Sequence, residues 1–160
     1  EMRDFQNPGI IAINKEVGHT PLFCFEDEQE ALNYSFEDGI KNSRWMRDLT
    51  PRGTRWKFKF SENVSKAPEI TPTGFEGADQ WGDIAVPCNW ECEKHGQAVY
   101  TNFQYPFKVD PPTIPDAMNH VGSYQCHFAL PEEWYHRRRV LLHFEGVSSA
   151  FYCWVDGKLA

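Results

Sequence analysis

From Arg55 onward the chain changes its period. Trp56, Phe58 and Phe60 alternate with Lys57 and Lys59. Only an extended backbone sends successive side chains to opposite sides, so three rings on one face and two ammonium groups on the other predict a half-buried β-strand. A helix would scatter the same rings around its axis. Further short runs share this character. Trp81 to Val86 is an extended piece stopped by Pro87. Tyr124 to Leu130 carries Tyr124, Cys126, Phe128 and Leu130 opposite Gln125 and His127. Val140 to Glu145 and Phe151 to Val155 follow, and Asp156-Gly157 is a hairpin signal. Several short strands of this kind predict an all-β chain built as a β-sandwich.

Residues 1–50 read as an irregular, mostly polar N-terminal extension and 51–160 as one domain, which suits a length of 160 residues. The extension holds one helix candidate, Glu26 to Asn33, where Asp27 serves as cap and Glu30 stands three residues on. Eleven glycines and eleven prolines rule out a long-helix or coiled-coil protein, and no apolar run reaches the roughly 18 residues of a membrane span. Aromatic residues make up 15% of the chain, far more than a disordered chain carries, so a packed domain is expected. Between Pro87 and Gly122 the prolines at 106, 111, 112 and 115 disfavour both helix interior and central strand. The same stretch holds Trp90, Tyr100, Phe103, Tyr105 and Phe107. Such a loop packs on something, either its own sheet or a neighbouring domain. The hairpin signal three residues before Ala160 has no return strand to pair with, so the sandwich is expected to be truncated at its C-terminus.

A net charge of −7 excludes a nucleic-acid partner, which needs a basic face. The basic run His136-Arg137-Arg138-Arg139 follows Glu132 and Glu133 and reads as a solvated turn. Five scattered cysteines, an odd number, read as reduced thiols, and a cytoplasmic location with no membrane partner is expected. The tripeptides Asn33-Tyr34-Ser35 and Asn63-Val64-Ser65 match the glycosylation pattern but decide nothing without a secretion signal. Cys88, Cys92 and His95 resemble part of a zinc site but lack the second ligand pair, so no metal site is assigned.

The run Val86-Pro87-Cys88-Asn89-Trp90-Glu91 resembles the "VPsNW" motif of glycoside hydrolase family 2, the β-galactosidases. The resemblance continues through Tyr100-Thr101-Asn102-Phe103-Gln104-Tyr105-Pro106-Phe107, Pro111-Pro112 and Pro115. It goes on with Gly122-Ser123-Tyr124 and with Phe144-Glu145-Gly146-Val147-Ser148-Ser149-Ala150-Phe151, and closes at Trp154-Val155-Asp156-Gly157-Lys158. Upstream, Arg3-Asp4-Phe5-Gln6-Asn7-Pro8, Ile13-Asn14-Lys15-Glu16 and His19 are similar to the lead-in of large bacterial-type members. The family pattern Asn-Pro-Thr-Gly reads Asn119-His120-Val121-Gly122 here. The resemblance implies a jelly-roll β-sandwich of the galactose-binding type, packed beside an immunoglobulin-like domain and a TIM barrel that carries two catalytic glutamates. It implies substrate-binding roles for Asn102 and Phe103 at the galactose pocket, a second pocket aspartate beyond Ala160, and a homo-oligomer. Full-length relatives use magnesium and sodium ions; no cofactor is expected in this chain.

Retaining glycoside hydrolysis needs two carboxylates about 5–5.5 Å apart. Glu132 and Glu133 are adjacent and follow Pro131, which suits the first turn of a helix, and Glu145 stands beside Gly146. No catalytic residue is therefore assigned, and the chain alone is expected to be inactive. Asn102 suits a sugar hydroxyl because an amide both donates and accepts; the competing reading is an asparagine that satisfies loop backbone. Most of the loop aromatics read as a surface that docks on the barrel. Three functional readings stand: part of a β-galactosidase, a free-standing carbohydrate-binding module without catalysis, or an assembly segment.

Overall fold

The computed structural model describes residues 4–20, 22–35, 44–99, 102, 105–136, 139–148 and 150–160. It divides into two compact units, one of Glu1–Lys15 with Arg55–Ala160 and the other of Glu16–Thr54. No helix among the described residues is long and apolar enough to cross a membrane.

The smaller unit holds the helix α1 (Glu28–Leu32). Asp27 is its N-cap, and its carboxylate accepts from Glu30 N at 2.8 Å. Glu30 reaches back in turn, its Oε2 accepting from Glu26 N at 2.7 Å. This is a capping-box exchange displaced by one residue, and it satisfies backbone donors that so short a helix leaves open. Phe23 and Phe25 place their rings 5.4 and 5.1 Å from that of Tyr34.

The larger unit is all-β. The strand predicted from the Trp-Lys-Phe-Lys-Phe run is β1 (Arg55–Ser61). Two short strands, β2 (Ile70–Thr71) and β3 (Gly74–Phe75), form a hairpin. β4 (Gly82–Ala85) and β5 (Val121–Gln125) then flank β1 on either side, both antiparallel, in the order β4-β1-β5. The register pairs Trp56 with Ile84, Phe58 with Tyr124 and Phe60 with Gly122. All of these therefore share the face that the alternation assigned to the rings. Phe58 and Ile84 are buried there, Ile84 completely. Lys57 meets its register partner Asp83 on the other face, Nζ to Oδ1 at 3.1 Å. That second face is not simply solvated. Ser61 and Ser123 are buried on it, and Lys59 lies with its ammonium 5.9 Å from the Trp81 ring.

The proline-rich stretch contains no strand among its described residues beyond the isolated Asp110–Thr113 bridge, and both Val86-Pro87 and Pro111-Pro112 are cis. Part of it folds back on its own sheet. Trp90, in the 3-10 turn Trp90–Glu93, sets its ring 6.3 Å from that of Phe58 and 5.9 Å, edge on, from that of Phe60. His95 and His120 close over Phe58 and Phe60 at 4.7 and 5.1 Å.

Three strand expectations need correction. The strand expected over Tyr124 to Leu130 starts earlier and ends at Gln125, leaving Phe128 exposed. Val140 to Glu145 joins no sheet; Val140, Leu141, Leu142 and Phe144 are exposed on both sides of the alternation. Alternation supplies the face of a strand but not the neighbour that accepts its backbone hydrogen bonds, and none is present there among the described residues. Of Phe151 to Val155 only Trp154 and Val155 form a strand, β6. The hairpin signal does have a return: β7 (Lys158–Leu159) pairs with β6, and Ala160 N donates to Cys153 O at 2.9 Å. Asp156 and Gly157, at φ 49 and 72, supply the two left-handed residues that so tight a turn requires. Glu132 and Glu133 open a 3-10 turn after Pro131, Glu132–Trp134, rather than an α-helix.

Candidate functional site

Two of the runs that carry the resemblance, Val86–Glu91 and Gly122–Tyr124, meet in one place. Glycine at 122 leaves the surface of β5 bare, and the Trp90 ring fills that space so closely that a Cβ there would come within 3.0 Å of its Cζ3 and Cε3. Cys88 and Glu91 lie close enough to Tyr124 to act on its charge. The Val86–Glu91 and Gly122–Tyr124 runs are thus two halves of one packing contact across the ring face. His120, which departs from the family pattern, sets its ring against that of Phe60 in the same cluster, tilted by 58°.

Burial pushes the Tyr124 phenol up to about 12, with Cys88 and Glu91 adding to the effect. Burial, then Glu93 and Cys92, raises the Cys88 thiol. Burial also raises Cys126, with Cys153 nearby, and raises Cys153 itself. Burial thus raises Cys88, Cys126 and Cys153, the opposite of what activates a nucleophilic thiol.

Asn102 lies in a bend of the proline-rich loop and is exposed. Phe103, Tyr100, Thr101 and Gln104 lie outside the described residues, as do Arg137 and Arg138 of the basic run. Tyr105 is exposed and Phe107 half-buried, so the loop aromatics divide. Trp90 builds the sheet's own core, while Tyr105 presents its ring to solvent. Glu145 is exposed and sits 3.4 Å from His143 Nε2, and Glu132 and Glu133 face solvent.

Cys88 and Cys92 are exposed and near enough for Cys92 to act on the Cys88 thiol, whereas His95 is half-buried against Phe58. Among the described residues, no group of three or more His, Cys, Asp or Glu is placed to hold a metal ion.

Residues 50–160 match the family model described as glycosyl hydrolases family 2, sugar binding domain. The chain belongs to this family. The all-β larger unit is consistent with a sugar-binding domain of this family. The chain is similar to a beta-galactosidase of Vibrio vulnificus (strain CMCP6), with 34% identity over 162 residues. A beta-galactosidase of Psychromonas ingrahamii is 31% identical over 161 residues. The matches cover 98% and 97% of this chain but 14% of each relative, so the chain spans about a seventh of the curated relatives it matches. Sequence reasoning missed one feature that only the register shows, the pairing of Gly122 with Phe60 beneath the Trp90 ring. Gly122 stands outside the strand expected from Tyr124, so no alternation marked it.

Proposed function

We propose that this chain is the N-terminal portion of a retaining β-galactosidase, which removes terminal non-reducing β-D-galactose from β-galactosides such as lactose. What carries the reading is the match of nearly the whole chain to one seventh of proteins named beta-galactosidase. The sugar-binding description of the matched family supports it. The exposed run Val140, Leu141, Leu142 and Phe144 supports it as well, since large apolar patches mark surfaces made to be covered. The covering surfaces in this reading are the barrel and the immunoglobulin-like domain of the same protein, in a cytoplasmic homo-oligomer. The nucleophile and the acid/base carboxylate belong to the barrel, and this chain's residues bind no ion of the site.

Asn102 acts on the substrate in this proposal. Its exposed amide donates to one lone pair of a galactose hydroxyl and accepts that hydroxyl's proton. A site built around such a pair rejects sugars that lack the hydroxyl. Phe103 beside it closes the rim. In the full-length protein, Asn102→Ala is expected to lower kcat/KM for a chromogenic β-galactoside by roughly 10- to 1000-fold. Unchanged kinetics would make Asn102 a loop residue, and a full-length protein that leaves β-galactosides intact would overturn the whole reading.

A further inference from the structure

The β2–β3 hairpin, the turn after it and the end of β5 surround an open hollow of about 530 Å³. Thr73, Phe75, Glu76, Asp79, Gln125 and His127 line it. None of them belongs to the segment around Asn102. The hollow's size falls within the roughly 300–1,000 Å³ of small-molecule sites.

Its central group is held in one orientation. Gln125 Oε1 accepts from Phe75 N at 2.8 Å, which turns the amide NH2 the other way, to 3.2 Å from His127 Nε2. With one N–H directed at the imidazole, the second remains for a ligand. Gly74, at φ 111, makes this approach possible, because a Cβ there would meet Gln125 Oε1 and Cδ. Around this donor stand acceptors, the exposed carboxylates of Glu76 and Asp79, and the hydroxyl of Thr73. The Thr71 hydroxyl already donates to Gly74 O at 2.6 Å and is not counted.

Two carboxylates on a chain of charge −7 turn anions away. Neighbouring hydroxyl groups match a fixed N–H beside carboxylate acceptors, since each hydroxyl accepts from the one and donates to the other. The half-buried Phe75 adds an apolar ring against which C–H groups pack. We propose that the hollow is a binding site for a neutral disaccharide. It goes beyond the reading of Asn102 and does not depend on it.

The test is saturation-transfer NMR on the full-length protein with cellobiose, a neutral disaccharide that is no β-galactoside, and with glucuronate as the anionic counterpart. Cellobiose is expected to receive saturation and glucuronate not. The cellobiose signal is expected to fall at least fivefold in Gln125→Leu and in Glu76→Ala, with hydrolysis of a chromogenic β-galactoside unchanged. Glu76 is exposed, so its variant tests the site even where Gln125→Leu disturbs the hairpin. No transfer to cellobiose, equal transfer in wild type and Glu76→Ala, or stronger transfer to glucuronate would each overturn the proposal. Full transfer in a protein that hydrolyses no β-galactoside would support this site while sinking the reading of Asn102.

Discussion

Gly122→Ala tests the packing on which the sheet depends. The backbone at 122 is not in the left-handed region, so alanine meets no conformational strain, and on chain entropy alone it would stabilise by about 0.4–1 kcal/mol. The space decides otherwise. The new methyl would overlap Trp90 Cζ3 and Cε3 and press on Phe58 Cε2 at 3.0 Å. Trp90 has no easy retreat, because its ring is already edge-on to Phe60 and packed beside Phe58. Overpacking of this kind costs about 1–3 kcal/mol, and losing the Phe60 contact adds about 0.5–1.5 kcal/mol. Set against the entropy gain, the net destabilisation is about 2 kcal/mol, a roughly 30-fold loss of hydrogen-exchange protection. Amide exchange of β1 and β5 by mass spectrometry reads it directly. Trp90→Ala in the same chain removes the obstacle, so the double variant is expected to lose less than the sum of the two single variants. Protection in Gly122→Ala within threefold of wild type, or additive losses in the cycle, would refute the claim that Trp90 occupies the space above Gly122.

Other outcomes follow from particular side chains. Because the Tyr124 phenol is raised to about 12 from an ordinary value near 10, folding holds its proton. That stabilisation is complete below pH of about 10 and is lost as pH rises toward about 12; ultraviolet titration of unfolding is expected to show this decline in wild type and a weaker one in Tyr124→Phe. Asp27→Ala removes the cap that accepts from Glu30 N and is expected to cost about 0.5–2 kcal/mol. In a five-residue helix this abolishes the helical chemical shifts of 28–32, and their persistence would contradict it. Ser61 buries a hydroxyl that has no hydrogen-bond partner in the structure. Ser61→Ala is therefore expected to stabilise β1 by about 1 kcal/mol, seen as greater exchange protection, and a loss of protection would show that the hydroxyl is bonded.

Where a signal was local, the sequence carried it. The alternation of Trp56, Phe58 and Phe60 with two lysines placed the rings on one face, and the structure buries Phe58 there. Asp27 and Glu30 announced a helix start, and Asp156-Gly157 announced a turn. The candidate site was legible only through motif resemblance, since an exposed asparagine in a loop has no periodicity to betray it. Val140 to Glu145 shows the limit from the other side: its pattern suits a strand, yet it joins none.

The amino-acid order alone determined that β1 extends with its rings on one face, that Asp27 starts a helix and that Asp156-Gly157 turns, because these depend on side-chain geometry over a few neighbouring positions. Tertiary structure alone decided that β1 lies between β4 and β5, that Trp90 closes over Gly122 rather than facing a partner, and that Gln125 turns its amide into a hollow. Those outcomes join groups 24 to 68 positions apart. Their free energy comes from the shape and hydrogen bonding of surfaces that exist only once the strands have met.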